Sequence, residues 1–124
     1  MRRVAVVSFV AMALVGTAVA VSSTKGDGAP EVSYARDVQP IFDRNCVSCH
    51  PSAYPYLDLR RGRAYADLVR VSAATRPSFE RVVPGKPQFS YLLTHPPDPS
   101  LRGLLTNDDR ATISAWIRAG AKDD

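Results

Sequence analysis

The sequence predicts a small helical domain, short helices set in proline-rich connections, on three observations. Apolar residues recur three and four apart in several short stretches, the period of a helix with one buried face. Eight of the ten prolines fall between Pro51 and Pro99, which excludes long regular elements from the middle of the chain. The first twenty residues read as a removable segment, which leaves about 104 residues, one small domain.

Met1-Arg2-Arg3 is a short basic start, Val4 to Val15 is apolar apart from Ser8, and Ala18-Val19-Ala20 has the small-x-small form of a signal-peptidase site. Residues 1–20 are therefore expected to be a secretory leader cut after Ala20. The runner-up is an uncleaved anchor at the outer face of the inner membrane, because apolar character continues to Val21 and approaches spanning length. Gly16-Thr17 and the Ala-x-Ala ending favour cleavage. Export to the periplasm follows, and no membrane span is expected in the mature chain. Residues 21–32, rich in Ser, Thr, Gly and Lys, are expected to be a flexible tether, and 33–122 the folded domain. The full chain carries a net charge of +4, and loss of Arg2 and Arg3 brings it near +2. That balance is mild and its charges are scattered, which argues against a nucleic-acid partner.

The elements follow in order. Ser33 can cap a turn, and Pro40 is comfortable only in a first helical turn. Val38, Ile41, Phe42 and Cys46 share one helical face, which predicts a helix over Asp37 to Asn45. Leu57-Asp58-Leu59 is expected to be extended. Ala64, Tyr65, Leu68 and Val69 predict two helical turns over Arg63 to Arg70. Pro87 and Ser90 bracket the start of a short helix holding Tyr91, Leu92 and Leu93. The last helix is the best signposted. Thr106 is an N-cap, Asp108 and Asp109 suit the positive helix end, and Asp109 takes the acidic place of a capping box. Ile113, Trp116 and Ile117 form its apolar stripe, and Gly120 stops it. Trp116, the single tryptophan, is expected in the core.

Cys46-Val47-Ser48-Cys49-His50 carries the chemistry. It is the C-x-x-C-H pattern by which a chain is joined covalently to haem. Residues three and four apart share a helix face, so Cys46 and Cys49 can each form a thioether to one porphyrin while His50 turns to the iron as proximal ligand. Both cysteines of the chain are used. A domain this small buries little surface alone, so a bound porphyrin is expected to add structure, with Ile41, Phe42 and Trp116 against it. No Ser/His/Asp set, phosphate-cradling glycine loop or partnered carboxylate pair points to an enzyme.

The chain resembles monohaem c-type cytochromes, in particular small bacterial cytochrome c-like domains of the planctomycete type. The resemblance rests on Tyr34-Ala35-Arg36-Asp37-Val38-Gln39-Pro40-Ile41-Phe42, the C-x-x-C-H, Val82-Val83-Pro84-Gly85-Lys86-Pro87 running into Ser90-Tyr91-Leu92-Leu93, and Leu105-Thr106 through Trp116 to Ala121. It implies an all-α cytochrome c fold around one covalent haem c, with N- and C-terminal helices crossing beside it. It also implies a periplasmic one-electron carrier that meets redox partner proteins, and it sets Tyr54 and Pro84 against the porphyrin. Such domains commonly supply a methionine as second axial ligand from the loop before the last helix. Here Met1 and Met12 are the only methionines, and that loop reads Thr94-His95-Pro96-Pro97-Asp98-Pro99. His95 is the candidate distal ligand, stiffened by the two prolines that follow. Water, Lys86 or Tyr91 are lesser alternatives for that position. Arg60, Arg61, Arg63, Arg76 and Arg81 are candidate donors to the haem propionates. Two other functions stay open: a haem sensor or peroxidase-like protein with a displaceable sixth position, and a zinc module built from Cys46, Cys49, His50 and His95.

Overall fold

A computed structural model of the chain describes residues 30–94 and 103–124. The leader, most of the tether and His95 lie outside the described residues.

The first element begins at the turn capped by Ser33, so helical geometry starts three residues before Asp37. A π-helical turn, Tyr34–Val38, leads directly into helix α1, Gln39–Asn45, with Pro40 in its first turn. Ser33 caps it: the Ser33 hydroxyl accepts from the Arg36 N–H at 3.3 Å, and Ser33 N–H donates to Asp37 Oδ2 at 2.8 Å. Two further N–H groups of this helix start are satisfied from the far end of the chain. Ala35 N–H donates to the Asp124 carbonyl and Tyr34 N–H to Asp124 Oδ1, both at 2.8 Å. An unpaired N–H at a buried helix start is costly, so these bonds fix the crossing of the two ends.

Helix α2, Ala64–Leu68, is shorter than the two turns predicted. Val69 leaves helical geometry and pairs as an isolated parallel bridge with Val82, and Arg70 follows at φ 59°. The chain then forms an antiparallel hairpin of β1, Ser72–Ala73, and β2, Arg76–Glu80. This corrects the all-α expectation: the molecule is helix-rich with a two-stranded sheet. The reason lies in the residues. Val69, Val71, Val82 and Val83 are β-branched and flank the hairpin, where an extended backbone packs their stiff side chains better than a helix does. Leu57-Asp58-Leu59, expected to be extended, joins no strand among the described residues, although Leu59 is buried.

A 3₁₀ turn, Pro87–Phe89, precedes helix α3, Tyr91–Thr94. Helix α4 is Asn107–Arg118, and its start holds the predicted capping box in full, with Thr106 Oγ1 accepting from Asp109 N–H and Asp109 Oδ2 accepting from Thr106 N–H, each at 3.0 Å. Its end is a Schellman motif. Gly120 N–H reaches the Ile117 carbonyl, Ala121 N–H reaches the Trp116 carbonyl, and Gly120 takes φ 108°, a conformation that favours glycine.

The core lies where Tyr34–Asn45 crosses α4. Trp116 is 1% exposed, its ring 5.2 Å from Tyr34 and 6.4 Å from Tyr65, and its indole N–H donates to the Lys122 carbonyl at 2.8 Å. Val38, Ile41, Phe42, Leu59, Leu68, Val82, Ile113 and Ile117 complete the cluster. Ile41, Phe42 and Trp116 are buried by these protein neighbours. No helix among the described residues is long and apolar enough to cross a membrane.

Thr106→Ala removes the side-chain acceptor for Asp109 N–H. It is expected to lower stability by about 1 kcal/mol, read from the midpoint of urea unfolding at unchanged slope.

Candidate functional site

Helix α1 delivers the C-x-x-C-H motif. Beyond Asn45 the backbone keeps turning: Cys46 N–H and Val47 N–H both reach the Phe42 carbonyl, and His50 N–H reaches the Cys46 carbonyl at 3.0 Å. That last bond spans four residues, so the motif occupies one helical turn, the geometry its spacing demands. Cys46 and Cys49 are both free thiols. Cys46 is half-buried at the edge of the core, and Cys49 is exposed. Burial pushes the Cys46 thiol up to about 11, with the negative charges of Cys49 and Asp109 adding to it.

His50 lines a cleft of about 420 Å³, its open mouth included. Leu57 and Tyr56 come from the loop after the motif, Leu68 from α2, Ala73, Ala74 and Thr75 from the hairpin, and Tyr91 and Leu92 from α3. Arg81 completes the wall. The His50 Nδ1 atom is buried and has no hydrogen-bond partner. Burial holds the imidazole below its ordinary pKa; the backbone carbonyls of Tyr54 and Leu57 act against this, and the positive charge of Arg81 adds to it. At neutral pH the ring is therefore uncharged, the form that can coordinate a metal. Tyr54 and Tyr56, each 44% exposed, lie 5.3 Å and 6.1 Å from the His50 ring, centroid to centroid.

The five candidate arginines separate by their partners. Arg60 pairs with Asp58 and Arg61 with Asp43. Arg63 is exposed, and Arg76 lines a separate hollow with Phe79, Tyr91 and Thr94. Arg81 alone of the five lines the His50 cleft, and it is 8% exposed. Its Nη1 donates to the Asp67 carbonyl at 2.6 Å and its Nη2 to the Tyr56 carbonyl at 2.8 Å.

Helix α3 lines the cleft and ends at Thr94, immediately before His95, which lies outside the described residues. Pro84 is half-buried and Lys86 exposed, and neither lines the cleft. Among the described residues no group of three or more His, Cys, Asp or Glu side chains converges as a metal site. The hairpin wall, Ala73 to Thr75, went unread in the sequence; the flanking valines were the available signal.

The chain matches no family model, no curated protein and no solved structure.

The residues present fit a covalently attached haem: two free thiols on one turn, a neutral imidazole with a buried, unpartnered nitrogen, and a mainly apolar cleft beside it. In the chain with both cysteines free, iodoacetamide is expected to modify Cys49 roughly tenfold faster than Cys46 at pH 8. The Cys46 rate should keep rising as pH approaches about 11. Equal rates, read by peptide mass spectrometry, would show that the core does not hold Cys46 in place.

Proposed function

We propose that this chain is an exported, periplasmic one-electron carrier rather than an enzyme. Cys46 and Cys49 would hold one haem c by thioether bonds, His50 would be its proximal iron ligand, and His95 its distal one. The observation that carries this reading is His50 itself: it lines the cleft, on the same backbone turn as two free thiols, with Nδ1 buried and unpartnered.

Bound haem supplies an iron centre that exchanges one electron with little rearrangement when protein ligands hold both axial positions. The chain's own residues do the rest. Leu57, Leu68 and Leu92 keep water from the walls of the cleft. The backbone carbonyls of Tyr54 and Leu57 act on the His50 ring, and an acceptor for one ring N–H would fix the tautomer and leave the other nitrogen for the iron. Helix α3 lines the cleft and ends immediately before His95 in the sequence. The partners are redox proteins of the same compartment.

Protein matured in a host competent for cytochrome c assembly should have the mass of residues 21–124 plus one haem, and the haem should survive acid-acetone extraction. Cys46→Ala with Cys49→Ala should abolish attachment. An unmodified mass sinks the proposal, and bound zinc in its place selects the zinc reading.

His95→Ala should convert a low-spin ferric spectrum to high-spin and permit carbon monoxide binding on reduction. His95→Met should raise the reduction potential, since methionine favours the ferrous state relative to histidine. Carbon monoxide binding by the unaltered reduced protein would instead select the sensor or peroxidase-like reading.

A further inference from the structure

Arg81 joins four segments that enclose the cleft. Its backbone N–H donates to the Val71 carbonyl at 2.7 Å, and its carbonyl accepts from Leu92 N–H of α3 at 2.9 Å. Its guanidinium holds the Asp67 carbonyl of α2 and the Tyr56 carbonyl of the loop beside His50. That loop also packs Tyr54 and Tyr56 against the imidazole, ring centroids 5.3 Å and 6.1 Å from His50. The bond from Arg81 to the Tyr56 carbonyl therefore ties down the segment packed against His50.

The charge of Arg81 is buried and its hydrogen bonds go to neutral carbonyls. None of the ion pairs among the described residues includes it. A guanidinium does not deprotonate in a protein, so a full positive charge persists in the wall that His50 shares. A buried charge without an opposite partner is expensive, and an apolar residue of similar volume would fill the space at lower cost. Hydrogen bonds from a charged donor recover part of that expense, and the planar fork lets one side chain hold two carbonyls in fixed relation.

We propose that Arg81 is a positioning residue for His50 and that its buried charge raises the reduction potential of the haem site, an inference that rests on the function proposed above. The two parts have separate causes. The fork holds the Tyr54–Leu57 loop against the imidazole. The charge favours the ferrous state, which carries one positive charge fewer than the ferric.

The test compares Arg81→Lys with Arg81→Gln in fully matured protein. Lysine keeps the charge and loses the fork; glutamine loses the charge. Arg81→Gln should shift the one-electron equilibrium roughly tenfold towards the ferric state, a fall in potential of about 59 mV. Arg81→Lys should hold the potential to less than half that shift while altering the hyperfine-shifted ring-proton resonances of His50. An unchanged potential in Arg81→Gln overturns the inference even if both variants are less stable, because a purely structural role moves stability alone. If neither variant matures, the unaltered protein decides: the Arg81 guanidinium nitrogen resonances should differ between ferric and ferrous states through the paramagnetic iron, and their coincidence overturns the inference. Absence of covalent haem from the unaltered protein is a different result, since it removes the underlying reading of the site.

Discussion

The contact between Trp116 and Tyr34 is the constraint on which the remaining structure depends. It packs the last helix across the first at a ring separation of 5.2 Å, with Phe42 and Tyr65 against the same cluster. Truncating a buried aromatic of this size costs about 3–5 kcal/mol, a large share of the stability of a domain this small. The contact is secured from both sides. The Schellman ending of α4 turns the chain back so that the Lys122 carbonyl accepts from the indole and Asp124 satisfies the start of the first helix. Neither end is a complete element without the other.

This crossing aims α1, and α1 aims the motif. Because Phe42 is fully buried in the cluster, the turn that begins at its carbonyl starts from a fixed point, and a further hydrogen-bonded turn carries Cys46, Cys49 and His50. The opposite wall is built from sequence far from the motif: the Val69–Val82 bridge, the hairpin and α3. Arg81 grips both walls, through the Tyr56 carbonyl beside His50 and the Asp67 carbonyl on α2, while its backbone holds α3. The division of labour is plain in the chemistry. Apolar burial places the motif, and charge-assisted hydrogen bonds close the cleft around it.

What the sequence by itself determined is whatever depends on residues a few positions apart. The capping box of Thr106 and Asp109, the stop at Gly120 and the single turn from Cys46 to His50 are local geometry, written in spacing and residue type, and each was legible. The stripe that set Trp116 inside was legible for the same reason. Tertiary structure decided the rest. Val69 reads as the end of a helix until Val82, thirteen positions on, offers it a parallel partner, and the hairpin arises because that pairing brings residues 71 and 81 together. In the sequence Arg81 is indistinguishable from the other four candidate arginines, until folding encloses it with two carbonyls. Burial and long-range pairing depend on which segments meet, and spacing along one chain does not carry that information.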